Sequence, residues 1–317
     1  DNHFSRVATL ASLPSDISSY FVRIKSDRFR DMLLPISNIE EVSLETGEKA
    51  YKVTTDIEEL VQDTDPSGQS LYQNQFSFMV LETPKEADVY TSFAELLTAM
   101  TANPSGRFIL GADLFADEVT KSVDQLAYLN TTFTGSLTGQ YQNQHFAIYN
   151  LAAPLFNRLQ NATVENLDLK DVTIVTSREQ LGALASWAIS SHITDVSASG
   201  SITAPRHIGG LVYMSDKSVL TNTSFTGNIT ATATNYVSNV GGIAGALSRG
   251  TIKDSYVKAT ITVNNSDRYA RTGGIVGFTN GTSSQETFNV INVYADGDLV
   301  NQASGGFAGG IVGSTEG

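Results

Sequence analysis

The sequence predicts a mainly β protein: a right-handed parallel β-helix of roughly six coils, capped by a helix and preceded by a small β-sandwich-like domain. Three observations carry this expectation. A short phrase recurs at intervals near thirty residues. A glycine-glycine-aliphatic phrase runs in phase with it. Helical periodicity is absent from residue 128 onward, where runs such as "SITA", "NITATAT" and "ATITVN" are short, β-branched and alternating. The expected divisions are a small antiparallel β domain over 1–88, a capping helix with the first β-helix strands over 89–127, and a right-handed parallel β-helix over 128–317, truncated at its C-terminal end.

In the first division "SYFVRIKS", "LLPISNIEEVSL", "KAYKVTTDI" and "QFSFMVLE" alternate like sandwich strands, and "TDPSGQS" and "TPKEAD" read as loops. Residues 92–103 give the one good helix: Ser92 and Glu95 form a capping box, Phe93, Leu96, Leu97 and Met100 share a face, and Pro104 and Gly106 stop it. "GRFILGADL" then starts the solenoid. An open solenoid end is an exposed sheet edge, so the helix is expected to cover it.

The recurrent phrase is most visible in "NTTFTGSLT" (130–138) and "NTSFTGNIT" (222–230). Its general form is Asn or Asp, then an apolar residue at +3, a small one at +5 and an aliphatic one at +7. Asn130, Asn166, Asp195, Asn222, Asp254 and Asn292 head the copies, Asn166 more loosely than the rest. A short polar side chain at each turn can bond the turn backbone and tolerate unusual φ, so these six are read as one structural ladder. The second phrase begins at Gly209-Gly210, Gly241-Gly242, Gly273-Gly274 and Gly309-Gly310, with degenerate copies at Ala153 and Gly182. From its first residue to the next Asn or Asp is thirteen residues at 153 to 166, 182 to 195, 209 to 222 and 241 to 254. Constant phase within a variable period means a fixed cross-section with loops of free length. The paired glycines are expected where no Cβ is tolerated or where φ is positive. Ile243, Ile275 and Ile311 should form one internal ladder, and Ile202, Ile229, Ile261 and Leu299 another.

A formal charge of −13 excludes a nucleic-acid partner, which needs a basic face. Acids outnumber bases in both 1–88 and 89–317, so neither part offers a basic membrane patch, and no apolar run is long enough to insert in a bilayer. The absence of cysteine removes disulfides and thiolate sites, a habit of proteins secreted by Gram-positive bacteria. The abrupt start "DNHFSRV" and end "GGIVGSTEG" read as cuts in a longer chain.

"GGIVG" at spacings of about thirty resembles the GLUG repeat, and the run "FTGSLTGQYQNQHFAIYNLAAPLFNRLQNATVENLDL" (133–169) is similar to the N-terminal region of the streptococcal IgA1-protease family of secreted zinc metalloendopeptidases. The upstream "YFVRIKSDRFRDMLLPISNIEEV" resembles the segment preceding that region. The likeness spans essentially the whole chain. It implies an extracellular protein, secreted or attached to the cell wall of a Gram-positive bacterium, acting as a virulence factor. It also implies zinc in the catalytic domain of the parent chain, held by His-Glu-x-x-His and a distant Glu. That motif is absent here: His3, His145, His192 and His207 are never four apart and none precedes Glu. No catalytic or metal-ligating residue is therefore assigned, no cofactor is expected in this chain, and it is expected to be inactive alone.

Other chemistry is weaker than its structural alternatives. His145 and His207 read as turn or surface residues. Asp63, Asp65, Ser67 and Gly68 imitate half a calcium loop, but Asn74 stands where a bidentate Glu belongs. Asp296 and Asp298 lack matching acids in neighbouring coils, and Trp187 and Tyr213 read as coil-filling aromatics. The function expected is a non-catalytic substrate-recognition or gating region that engages immunoglobulin, immunoglobulin A foremost, or another host glycoprotein, beside the parent's own catalytic domain. The alternatives are a stand-alone adhesin or glycan-binding β-helix, and a polysaccharide lyase or hydrolase. For recognition, the loops 231–239, 264–272 and 301–308 each precede a glycine phrase and should emerge on one edge. They carry Tyr236, Arg268, Tyr269, Arg271 and Phe307, side chains of the kinds enriched in binding hot spots.

Overall fold

The computed structural model describes residues 9–10, 17–18, 20–24, 32–43, 49–56, 63–64, 70–71, 75–82, 86–120, 126–233, 237–264, 269–280 and 287–316. Asp65, Ser67, Gly68 and Asn74 of the calcium-like loop, and His3, lie outside them. The chain divides into two compact units, Asp1–Ala87 and Asp88–Gly317.

The first unit holds a five-stranded sheet in the order Thr9–Leu10, Gln75–Glu82, Lys49–Asp56, Met32–Ser43, Phe21–Ile24, and a two-stranded pair of Asp63–Thr64 with Ser70–Leu71. Its pairings are antiparallel except for Thr9–Leu10, which runs parallel to Gln75–Glu82. Tyr51, Val53 and Thr55 follow the two-residue period and are buried, and Ile39 and Val80 join Tyr51 and Val53 in a small core. The Thr55 hydroxyl donates to the Pro35 carbonyl at 2.6 Å, which satisfies it there. Among the described residues the expected sandwich is corrected to one five-stranded sheet and a two-stranded pair, with no second sheet of comparable size. Alternation shows that a strand has unlike faces; it does not say what covers the inner one.

The second unit is built on a large sheet of parallel strands. After the short strand Val89–Tyr90 comes the helix Phe93–Ala102, with Ser92 as N-cap accepting from the Glu95 N–H at 3.4 Å. Glu118 Oε2 accepts from both the Ser92 hydroxyl and the Phe93 N–H, each at 3.2 Å, and so supplies a cap contact from outside the helix. Phe93, Leu96 and Met100 are fully buried in the same core as Leu110, Leu129 and Phe133, and the Phe93 ring meets Tyr128 edge-on at 5.1 Å.

From Arg107 on, the strands pair in parallel with ones about a repeat away, except for the antiparallel hairpin of Gln140–Tyr141 with Gln144–His145. Phe108, Leu137, Val164, Ile193, Leu220, Ile252 and Val290 form one column. Ile174, Ile202, Ile229, Ile261 and Leu299 form a second. Apolar residues at matching positions pack on one another at the inter-strand distance, near 4.8 Å, and all but the last member of each column are buried. A separate four-stranded parallel sheet joins Ile208–Gly209, Ser238–Gly241, Ala270–Gly273 and Phe307–Gly309, so Gly209, Gly241, Gly273 and Gly309 stand in register.

The two most similar phrases do not occupy equivalent places. Leu137 of "NTTFTGSLT" belongs to the column of Leu220, whereas its counterpart Ile229 belongs to that of Ile202. Phe133 pairs with Leu159, and Phe225 with Ala198. Asn130 therefore stands outside the turn ladder: it lies in the strand Leu129–Phe133, and its Oδ1 accepts from the Ala127 N–H at 3.2 Å. Asn, an aromatic, Gly and an aliphatic suit any strand-turn-strand step, and only pairing register distinguishes one face from another.

Candidate functional site

The five remaining ladder residues are alike in backbone. Asn166, Asp195, Asn222, Asp254 and Asn292 have φ of 51°, 55°, 51°, 53° and 49°. This left-handed conformation is reached most easily by Asn, Asp and Gly. The side chains bond across repeats: Asn222 Nδ2 donates to Asp195 Oδ1, and Asn292 Nδ2 donates to Asp254 Oδ1 at 2.7 Å. Alternating amide and carboxylate gives each Asp a donor in the next repeat, so the column is structural.

The glycine phrase has a different cause. None of the paired glycines has positive φ; that conformation falls at Gly200, Gly227, Gly250 and Gly297 instead. Close approach fixes them. A Cβ on Gly242 would lie 2.2 Å from the Gly274 carbonyl oxygen and 2.6 Å from Val257 Cγ1.

On the four-stranded sheet, Asn239, Arg271 and Phe307 stand opposite one another. Tyr269 lies just before its strand, and its carbonyl accepts from the Ser238 N–H at 3.2 Å. The Tyr269 and Phe307 rings stack at 6.3 Å with 17° between planes, and they are 55% and 48% exposed. The structure thus brings two of the five expected recognition residues together as a solvent-facing aromatic pair. Arg271 turns elsewhere: its guanidinium sits 4.2 Å from the Phe278 ring centroid, and Nη1 donates to Asn239 Oδ1 at 3.5 Å. It is half-buried, so its role as a free contact is corrected to one of holding neighbouring repeats together. Tyr236 and Arg268 lie outside the described residues.

Sequence reasoning missed a second exposed aromatic pair. Tyr256 and Tyr294 face each other in register and are 48% and 63% exposed. The signal is present in the letters: each lies two residues after a ladder residue, Asp254 or Asn292.

Trp187 is not a coil filler. It is half-buried, whereas Tyr213 is buried; the rings meet edge-on at 5.6 Å, with the Arg158 guanidinium 5.9 Å from the Trp187 centroid. His207 adjoins Tyr213 at 5.2 Å and has φ of 61°. Burial holds its imidazole well below the ordinary value, down to about 4, and the neighbouring Arg206 and Arg271 cations act in the same direction against the weaker pull of Glu179. His145 Nε2 lies 3.5 Å from Asp168 Oδ2 on the surface, and the Ser197 hydroxyl donates to Asp168 Oδ1 at 2.5 Å. Among the described residues no group of three or more His, Cys, Asp or Glu could hold a metal ion, and no helix is long and apolar enough to cross a membrane.

Residues 1–200 match the family described as the M26 IgA1-specific metallo-endopeptidase N-terminal region, and residues 236–262 match the GLUG motif. An immunoglobulin A1 protease of Streptococcus pneumoniae is 36% identical over 96% of the chain, which covers 16% of that protein. The zinc metalloprotease ZmpC of S. pneumoniae serotype 4 is 37% identical over 90% of the chain, covering 13% of it. An immunoglobulin A1 protease of Streptococcus sanguinis is 36% identical over 99% of the chain, covering 17% of it. The solved structure of an IgA1 protease superposes with a TM-score of 0.57 at 30% identity, over 96% of this chain and 26% of that one. The chain spans about a sixth of the length of these curated relatives, and it belongs to the family of M26 IgA1-specific metallo-endopeptidase N-terminal regions.

Proposed function

We propose that this chain is the non-catalytic substrate-recognition or gating region of a secreted zinc metalloendopeptidase, and that it engages immunoglobulin A1 for the parent's catalytic domain. The exposed Tyr269–Phe307 stack carries the reading. Two large apolar rings held parallel in water have no role in the core, and they offer a rigid anchor with little side-chain entropy left to lose on binding. The likeness to two relatives named immunoglobulin A1 protease supplies the substrate class. Zinc is expected in the parent's catalytic domain, by likeness to a relative named as a zinc metalloprotease. The parent would work outside a Gram-positive cell, free or held at its wall.

The architecture that presents the stack is proposed to be a right-handed parallel β-helix of about six coils. The register of the parallel strands supports it, together with the strong right-handed preference of parallel crossovers. A small β domain would precede it, and the helix Phe93–Ala102 would close one end.

Direct binding tests the reading. The 317-residue chain should bind immobilised human IgA1. Tyr269→Ala and Phe307→Ala should each weaken binding roughly tenfold or more, with the fluorescence of Trp187 unchanged as a sign of intact folding. Affinity that is absent, or is unmoved by both substitutions, contradicts the recognition role.

A further inference from the structure

One column of the large sheet combines aromatic and cationic side chains. Arg158, Trp187, Met214, Ala246 and Phe278 stand opposite one another in successive parallel strands. Apart from Ala246 they are half-buried, so the column reaches solvent. Its ends are four inter-strand steps apart, about 19 Å. An arginine sits by an aromatic ring at each end. The Arg158 guanidinium lies 5.9 Å from the Trp187 centroid, and that of Arg271 lies 4.2 Å from the Phe278 centroid.

These two arginines differ from others of the same unit in charge balance. Arg206 Nε lies 2.8 Å from Glu179 Oε2, and Arg249 Nη2 donates to Asp216 Oδ2 at 2.7 Å. Among the described residues neither Arg158 nor Arg271 has a carboxylate within ion-pair distance, and Arg271 Nε is buried with no acceptor. In a chain of formal charge −13, two such cations on one column stand out. A half-buried guanidinium without a counter-charge has lost hydration for nothing in return, a deficit that a bound carboxylate removes through charge-assisted hydrogen bonds. Arg271 is held in place by Phe278 and by Asn239 Oδ1, so it presents a fixed charge and needs little ordering on binding.

We infer that this column binds an extended acidic segment of a partner protein, with one carboxylate at Arg158, a second at Arg271, and apolar side chains between them against Trp187 and Met214. At the rise of an extended chain, carboxylates about six residues apart span the column. Charge complementarity selects the class of partner. The column attracts a short acidic segment, while the acidity of the rest of the chain repels a long polyanion. The half-buried Trp187, Met214 and Phe278 favour a peptide over an acidic sugar chain, which has carboxylates but no apolar side chains to set against them. The column binds such a segment whether or not the chain engages immunoglobulin.

Calorimetric titration of the 317-residue chain with a synthetic peptide tests this. The probe is a peptide of about ten residues, with two glutamates about six apart and leucine and glycine between them. Its binding should perturb the fluorescence of Trp187, the single tryptophan. Affinity should fall roughly tenfold or more when glutamine replaces both glutamates, and likewise in Arg158→Gln and Arg271→Gln. The Arg158 side chain makes no hydrogen bond with a described residue, so Arg158→Gln decides the outcome if Arg271→Gln loosens the repeats. Lys258→Gln removes an exposed cation elsewhere on the sheet and should change affinity less than about twofold. No binding of the glutamate peptide, equal binding of its glutamine counterpart, or full affinity in Arg158→Gln overturns the proposal. An oligogalacturonate that binds more tightly than the peptide overturns the choice of a protein segment as the occupant.

Discussion

Replacing Gly242 by Val should unfold the second unit at temperatures where the parent sequence is fully folded. The added Cβ would stand 2.2 Å from the Gly274 carbonyl oxygen and 2.7 Å from Val257 Cγ2. The first of these neighbours is backbone, and no rotamer change relieves the overlap. Neighbouring repeats would have to separate. Overpacking on this scale costs about 3–5 kcal/mol, which for a unit of this size lowers the unfolding midpoint by roughly 10 °C or more. The chain has a single tryptophan, Trp187, and it lies in the second unit, so its fluorescence reports that unit alone. Thr226→Val is the appropriate control. Thr226 is exposed, lies opposite Ser199 and Lys258 in regular strand pairing, and should tolerate a β-branched apolar residue within about 0.5 kcal/mol. Lys217, also exposed, is not a neutral position for Val: its φ is 53°, where β-branched residues are strained. Equal midpoints for Gly242→Val and Thr226→Val would contradict the packing account of the glycine column.

Acid should weaken the same unit through His207. Its imidazole is held neutral in the fold, with a pKa of about 4 against 6.5 in the unfolded chain. Burial is the first cause. The Arg206 and Arg271 cations nearby add to it, Glu179 opposes it, and the Tyr213 ring covers one side. Between these two values the unfolded chain binds a proton that the folded chain refuses, so stability falls as pH drops from about 6.5 toward about 4 and levels off below. Part of the ring reaches solvent, so the full shift is discounted to roughly 2 kcal/mol across the window. His207→Asn removes the titration while keeping a residue type that accepts the positive φ of 61°. Urea unfolding followed at Trp187 should show a shallower loss of stability on acidification for the variant than for the parent. Parallel pH profiles for the two proteins would contradict this assignment.

What the letters reveal depends on how local the physical demand is. The glycine phrase is legible because a missing Cβ is demanded again at each repeat, and Gly209, Gly241, Gly273 and Gly309 do stand in register. The helix is legible because its cap and apolar face lie within a few residues of each other. The face on which "NTTFTGSLT" sits is not legible, since its composition fits more than one strand and turn of a repeat, and only pairing separates Leu137 from Ile229. That the first unit has one large sheet and not two is hidden for a related reason: alternating strands have the same pattern whichever partner covers them. At the candidate site, loops that precede each glycine phrase are found from spacing, and Tyr269 does meet Phe307. Arg271 is misread because its partners, Asn239 and Phe278, come from the preceding repeat and the following strand. A long cation is directed by what surrounds it in space, which its own neighbours in sequence do not state.

The recognition role is tested most directly in the parent enzyme, on two substrates that differ only in what they present beyond the scissile segment. Tyr269→Ala and Phe307→Ala should raise KM for intact immunoglobulin A1 roughly tenfold while leaving kcat, and the hydrolysis of a short hinge peptide, unchanged. That split follows if the aromatic pair grips the folded antibody and takes no part in the zinc-centred chemistry. Equal loss on antibody and peptide, or no loss on either, would contradict the account.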